Sequence, residues 1–485
     1  MATEEKKFNV DFDEADNKKL KQVKVGYSAA QFGGGIEKAY YSSFSSYFYT
    51  NVYMMSTVFS GILTLISSIV GWVGAPLFGA ILDKIKFKNG KYWPWLIIGP
   101  IIYNLAWILI YALPALGVSG EGTGIIALVL ACIAQVGSPL MTIPMNASMP
   151  LLSNDPSDRQ FFAKAQKLGR DGAKTIFGYI FPAAIAALTV SSSESTAYAL
   201  CVLLAGIPPI VSYIYYAFVL KGSYVERRAA ESASSKQKKS IPLGVMLKTV
   251  FTNRPLLSMF IFMGLHKTYY FIYITCAAYM FKYVWGDFSK MSFFMTMFNL
   301  TAIVGVMFGP LWKSIFKESK KCFVSAFMVH VALLAVIALT FKSLSANVFI
   351  LLFGISSLFM GLLENYILPF FAASADYGAW KAGQRMDGIS MSIYSLSIKT
   401  GTLLSTTIRT AMLVAAGLDA VKESGVATAQ FISTASTLYS WIPLGIGILA
   451  LLILIFGMNL NDERIQKINK DIAEGKTMAD SAVKF

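Results

Sequence analysis

The sequence predicts an all-α polytopic membrane protein, with twelve transmembrane helices in two pseudo-symmetric six-helix bundles. Three observations carry this. Of 485 residues, 55% are hydrophobic and 14% charged, against about 25% charged in a soluble domain, and the mean hydropathy is +0.56. Residues 96–113 and 441–460 hold no charge at all, and a spanning helix needs roughly 20 mostly apolar residues. Finally, Gly79-Ala-Ile-Leu-Asp83-Lys-Ile-Lys-Phe-Lys-Asn-Gly-Lys91 recurs as Gly309-Pro-Leu-Trp-Lys313-Ser-Ile-Phe-Lys-Glu-Ser-Lys-Lys321, with Gly and closing Lys at the same offset. Each copy ends an apolar helix in a short basic loop. A membrane plan repeated in two halves points to a rocking carrier with its site between them.

In chain order, residues 1–25 are charged and polar, with no apolar core before a cleavage site, and read as a cytoplasmic tail. Spans follow near 29–53, 57–82, 92–114, 124–150, 172–191 and 196–220, forming a bundle over 26–220. The linker 221–253 opens as a polar, basic loop, and 241–253 reads as an interfacial helix. The second bundle, 254–460, has spans near 255–282, 289–313, 322–341, 346–372, 386–416 and 432–458, and 461–485 is a second tail. Gly and Pro break many spans, as in Gly137-Ser-Pro139 and Gly206-Ile-Pro208-Pro209. Such breaks suit close packing through small residues, or bending.

The net charge of +15 lies in alternate loops, around 83–91, 155–174, 221–248, 313–321 and 375–385, while the intervening loops are charge-poor. The positive-inside rule explains this better than nucleic-acid binding, and it places both termini in the cytoplasm. The four cysteines show no metal-like spacing and read as small buried hydrophobes.

Ionisable residues inside spans are expensive, so each is a functional candidate. Lys399 lies about 20 Å along the eleventh span and Lys267, beside His266, about 18 Å along the seventh, both near mid-bilayer. Glu37 and Lys38 lie in the first span and Glu364 in the tenth. A buried carboxylate can load and release a proton, so Glu37 and Glu364 are the coupling candidates, and Glu364 is also a possible partner of Lys399 or Lys267. Tyr40, Tyr41, Tyr269, Tyr270 and Tyr273 offer rings and hydroxyls suited to sugars, or simple packing. A membrane enzyme is disfavoured: there is no His-Glu-x-x-His or Gly-x-Ser-x-Gly, and only two histidines. No nucleotide-binding loop is present, and no filter-like repeat suggests a channel.

Asp83-Lys-Ile-Lys-Phe-Lys-Asn-Gly-Lys-Tyr-Trp-Pro-Trp95 resembles the loop between the second and third helices of glycoside–pentoside–hexuronide:cation symporters, the melibiose-permease relatives within the major facilitator superfamily. Tyr49-Thr-Asn51, Ile143-Pro144 followed by Asn154-Asp-Pro-Ser-Asp-Arg159, Tyr283-Val-Trp-Gly-Asp287 and Ala375-Asp-Tyr-Gly-Ala-Trp-Lys-Ala-Gly-Gln-Arg-Met-Asp-Gly388 agree in the same order. The resemblance spans residues 26 to about 460. It implies the major facilitator fold and symport of a sugar, glycoside or hexuronide, coupled to sodium or protons, across the plasma membrane by alternating access; a monomer in a bacterial plasma membrane is expected. It also implies that the first span, and with it Glu37, lines the cavity.

The resemblance keeps the eleventh-span lysine as Lys399 but rewrites other positions. The family's second-span cation carboxylates fall on Gly71 and Ala75, its first-span sugar-binding carboxylate on Gly35, its fourth-span one on Thr142, and a following tryptophan on Asn146. Proton coupling is therefore expected over sodium, with no other cofactor or metal. A facilitator or exchanger of another organic or amphiphilic anion is the alternative. Asp83 with Lys91, Arg159 with Asp155 and Asp158, and Asp376 with Lys381, Arg385 and Asp387 are expected to pair as a cytoplasmic gate.

Overall fold

The structure, a computed structural model, describes residues 14–85, 87, 90–153, 156–235, 251–382, 387–474 and 476–478. Six long helices form the first half: α1 (Glu14–Tyr47), α2 (Thr57–Lys84), α3 (Trp95–Ala112), α4 (Gly124–Ser148), α5 (Pro156–Thr189) and α6 (Glu194–Leu220). The short α7 (Tyr224–Ser235) leads out of it. The second half holds α8 (Arg254–Tyr279), α9 (Lys290–Met307) continued by α10 (Gly309–Phe316), α11 (Ser319–Thr340), α12 (Ala346–Ala382) and α13 (Asp387–Ala415) with its bent extension α14 (Leu418–Ser424). It closes with α15 (Ala429–Tyr439), α16 (Trp441–Gly457) and α17 (Asp462–Ala473).

Among the described residues, nine helical stretches are long and apolar enough to cross a membrane, or ten if the bent pair α13–α14 is one span. The first helix of each half, α1 and α8, is not among them; both are more polar, with Gly, Ser and Tyr around Glu37 and Lys38 on one, and His266 and Lys267 on the other. These helices pack on each other where the halves meet, flanked by α2 on α13 and α5 on α9. A polar helix is tolerable there because it faces protein and cavity rather than lipid. With these two, the helices fit the twelve-span plan.

Side chains fix where helices begin. Ser56 Oγ accepts from the Phe59 amide at 3.2 Å, Asn253 Oδ1 from Leu256 at 3.1 Å and Asn461 Oδ1 from Arg464 at 2.9 Å. Each satisfies an amide that has no partner in its own first turn. Helices α1 and α5 start well before the spans expected at 29 and 172, since their first turns stand outside the apolar layer. The linker differs from the loop expectation: its first part is helical α7. Residues 236–250, and so most of the interfacial helix expected at 241–253, lie outside the described residues.

The repeat seen in the sequence extends to how its two basic loops are held. In the first half, the Glu226 carboxylate of α7 accepts the backbone amides of Lys91 (2.5 Å), Tyr92 (3.0 Å) and Trp93 (2.7 Å). Burial raises the Glu226 carboxyl, and these donors offset that only in part. In the second half, Asp462 at the start of α17 accepts from Lys313 Nζ at 2.6 Å and from the Ser319 amide at 3.1 Å. Both carboxylates come from the short helix that follows the last span of their half.

Partial burial pushes the Asp462 carboxyl up, but Lys313 and Ser319 more than reverse this and hold it below its ordinary 3.8. A depressed carboxyl adds stability above the ordinary value and loses it as pH falls through the depressed one. Solvent reaches about a third of both partners (38% and 34%), so the pair is worth only about 1 kcal/mol. Asp462→Asn should lower the melting temperature in detergent at pH 7, and the difference from wild type should shrink as pH falls below the ordinary carboxyl value of 3.8 and through the depressed one. A mutant that melts like wild type at pH 7 would remove the clamp from the stability argument.

Candidate functional site

The gate at the charge-poor end is built from the ends of α1 and α8. Each runs into a five-residue π turn, Phe48–Val52 and Met280–Val284. A π turn widens the helix and swings its side chains outward, and here the two interlock. Tyr279 Oη lies 2.7 Å from Thr50 Oγ1 and 3.2 Å from Ser46 Oγ. Lys282 donates to the Tyr47 hydroxyl and stands 3.8 Å from Glu194, and Tyr283 donates to Asn51.

A second latch lies beside it. Asp419 of α14 accepts from the Thr57 amide and hydroxyl, each at 3.0 Å, capping α2 from the opposite half. Lys422 pairs with Asp419 at 2.7 Å and donates to the Met55 carbonyl at 2.6 Å.

On the basic-loop side of this gate, a cavity of about 450 Å³ lies between the halves. The first half contributes Lys38 and Tyr41 from α1, Tyr103, Ser138, and Lys167, Asp171 and Lys174 from α5. The second contributes Lys267 and Tyr270 from α8, Phe298 and Asn299, Glu364 from α12, and Tyr394. The spacing 167, 171, 174 puts three charges on one face of α5.

Lys267 Nζ lies 3.4 Å from Glu364 Oε1. Lys174 Nζ reaches across the halves to the Tyr270 hydroxyl at 2.7 Å. Lys174 and Lys267 both sit over the Tyr270 ring, 5.3 and 4.8 Å from its centre.

Lys399 stands beside the cavity, in the seam between α13 and α2. Its ammonium donates to the backbone carbonyl of Gly71. A β-carbon at Gly71 would lie 2.6 Å from Gln135 Oε1, so the bare glycine leaves room for both α4 and the lysine. Gln135 in turn donates to the Tyr41 hydroxyl at 3.0 Å.

Of the residues singled out from sequence, Lys267, Glu364 and Tyr270 meet in the cavity wall, and Tyr41 joins them. Glu37 points elsewhere. It is 3% exposed and accepts from Asn104 Nδ2 at 2.7 Å, while Tyr40 donates to the same amide's oxygen at 2.6 Å. Its neighbour Lys38 faces the cavity instead, as consecutive helical residues must diverge. Gly35 faces α5, where a β-carbon would meet the Arg170 carbonyl at 2.3 Å.

Thr142 bonds back to the Ser138 carbonyl at 2.9 Å, and Asn146 is exposed near Gln166, 3.4 Å away. Tyr40, Tyr269 and Tyr273 are fully buried, within the bundles rather than the cavity wall.

At the basic-loop end, Asp158 pairs with Lys24 of α1 at 2.5 Å. Burial raises its carboxyl, but Lys24 and Ser153 bring it below the ordinary range. Lys381 donates to the Thr252 carbonyl at 3.1 Å, and Lys91 is held through its amide by Glu226. Asp376 is half-buried near the end of α12. The side chains of Ala75, Asp83, Arg159 and Asp387, together with Asp155 and Arg385, lie outside the described residues.

Sequence reasoning missed Lys167, Asp171 and Lys174, which read as loop charges because α5 starts earlier than its apolar stretch. It also passed over Arg409, a 3% exposed cation within α13. The 3.6-residue spacing of the α5 charges was the available signal.

A family model described as MFS/sugar transport protein matches residues 26–462. The chain is 24% identical to an isoprimeverose transporter of Lactiplantibacillus pentosus, covering 94% of this chain and 93% of that protein. It is 24% identical to a putative glycoside/cation symporter of Escherichia coli (strain K12), covering 95% and 97%. Among solved structures, the chain superposes on a D-xylose-proton symporter with a TM-score of 0.65 at 11% identity, covering 95% and 100%. That last likeness is one of fold.

Proposed function

The chain belongs to the MFS/sugar transport protein family, and from that premise we propose that it is a secondary active transporter moving a sugar-class solute across the plasma membrane by alternating access. The observation that carries this is a cavity between two pseudo-symmetric halves, next to a gate made of interlocked π turns at one end. With the basic loops in the cytoplasm, the closed gate faces outward and the conformer is inward-facing. The names of the relatives support a sugar or glycoside as solute.

Opening the gate must break the Tyr279–Thr50 and Asp419–Thr57 contacts together, and a rigid-body rotation of the halves does so. Counterflow in proteoliposomes tests the proposal: external labelled sugar should enter against unlabelled sugar inside, with saturation. Uptake that is linear in concentration and indifferent to internal sugar would defeat it.

Coupling is assigned to protons rather than sodium. A hard cation needs oxygen ligands, and positions 71 and 75 are Gly and Ala, with the Lys399 ammonium on the Gly71 carbonyl. A sodium ion there would face a like charge. At fixed pH and membrane potential, initial uptake should change less than about twofold when potassium is replaced by sodium. Saturable stimulation by sodium would show that this chain holds the ion elsewhere.

A further inference from the structure

Arg409 sits on α13 ten residues beyond Lys399, about 15 Å closer to the gate. It is 3% exposed, so its guanidinium does not reach out to surface water. Among the described residues, no carboxylate pairs with it and no acceptor meets its N–H groups. A lysine in that position could shed its proton and sit there neutral. A guanidinium cannot, and it carries five donors that need acceptors. A buried charge left alone is among the costliest features a fold can carry.

The surroundings say what kind of partner fits. Arg409 lies within electrostatic range of Tyr41 on α1 and of Cys276 and Tyr279 on α8, hence in the seam between the halves. The Tyr41 oxygen accepts from Gln135 at 3.0 Å, which leaves the Tyr41 hydroxyl hydrogen without an acceptor among the described residues. The place is rich in donors and short of acceptors. It is also narrow. Beside Arg409, a β-carbon at Gly61 of α2 would lie 2.1 Å from Thr410 Cγ2, and on the gate side Tyr279 is tied to Thr50 and Ser46. Those limits suit a bare spherical anion better than a ring-sized solute.

We propose that Arg409 anchors a halide site behind the gate, with one chloride ion accepting from its guanidinium and from the Tyr41 hydroxyl. The ion touches α13 of the second half and α1 of the first. It therefore holds the halves together at the gate end, and the site comes apart when they separate. On the alternating-access reading above, chloride favours the conformer with this gate closed.

The test reads binding and needs no transport, so it stands even if that reading fails. Full-length protein in detergent is unfolded thermally at constant ionic strength while potassium methanesulfonate is replaced stepwise by potassium chloride or bromide. The melting temperature should rise saturably with either halide, by about 2 °C or more. Arg409→Gln should abolish that rise. In methanesulfonate alone it should melt at or above wild type, because the dry charge is gone.

Should Arg409→Gln fail to fold, Tyr41→Phe keeps the charge, removes one donor and should shift the halide response to about tenfold higher concentration. Crystals grown in bromide should show an anomalous peak between Arg409 and Tyr41. Melting that ignores halide means that water alone meets the guanidinium, and it overturns the proposal. So does a halide response that Arg409→Gln and Tyr41→Phe both leave unchanged, or a bromide peak found only elsewhere.

Discussion

Lys399→Ala is expected to reduce counterflow at least about 100-fold while the protein still inserts, purifies and elutes as wild type. The reason lies in where the ammonium goes. It leaves α13 of one half and donates to the Gly71 carbonyl on α2 of the other, so on the alternating-access reading proposed above it ties together two surfaces that would have to slide. A hydrogen bond from a charged donor contributes roughly 1.5–3 kcal/mol, enough to set the balance between two conformers separated by a few kcal/mol.

Removing it costs more than that bond. The Gly71 carbonyl loses its ammonium donor, and a positive charge disappears from beside the solute cavity. Lys399→Arg should retain part of the activity, because the charge persists on a bulkier donor. Lys399→Met keeps the stem without the charge and should resemble Ala. Counterflow at wild-type rates in the Ala and Met variants, at equal protein in the vesicles, would sink the assignment.

The helices were legible in the sequence because lipid leaves few choices. Charge-free runs such as 441–460 can only span, and the recurrence of Gly79–Lys91 near Gly309 announced the two halves. Depth along a helix also picked out Lys267, which lines the cavity, and Lys399, which donates to the Gly71 carbonyl beside it.

What sequence reading could not supply was rotation about the helix axis at each position. Glu37 and Lys38 are neighbours in the chain, yet one meets Asn104 inside the bundle and the other faces the cavity. An apolar-run criterion also hid α5, whose cavity face carries Lys167, Asp171 and Lys174, a pattern that looks like a loop when hydropathy alone is read.

The contacts at the opposite end from the charged motifs were not legible for a similar reason. Charged motifs at the basic-loop end drew the eye, and there Asp158 also pairs with Lys24 of α1. The interlocked turns that hold the other end rest on hydroxyls and amides, Thr50, Asn51, Tyr279 and Tyr283. Those residues occur throughout any membrane protein, so their pairing is visible only in three dimensions. Asp419 capping α2 from the far half is likewise a contact between residues hundreds of positions apart.

The same geometry separates the two carboxylates that were candidates for coupling. Glu364 lines the cavity and lies 3.4 Å from Lys267, where water and solute can reach it. Glu37 is sealed on Asn104 inside the first bundle. A proton carried with the solute must be taken up and released from the cavity, so Glu364 should carry it. On the proton-coupled reading proposed above, an ionised Glu364 would hold Lys267 and a protonated one would release that lysine to the solute, linking the two events.

Glu364→Gln fixes the neutral state. It should abolish accumulation driven by a proton gradient and yet spare exchange of solute for solute, which moves no net proton. Glu37→Gln keeps the acceptor that Asn104 needs and should leave gradient-driven accumulation within about threefold of wild type. The measurement is uptake into vesicles with a proton gradient alone, beside counterflow without one. If Glu364→Gln still concentrates solute, the proton travels elsewhere; if Glu37→Gln alone abolishes accumulation, the buried carboxylate is the carrier and the cavity-facing one is there to bind the solute.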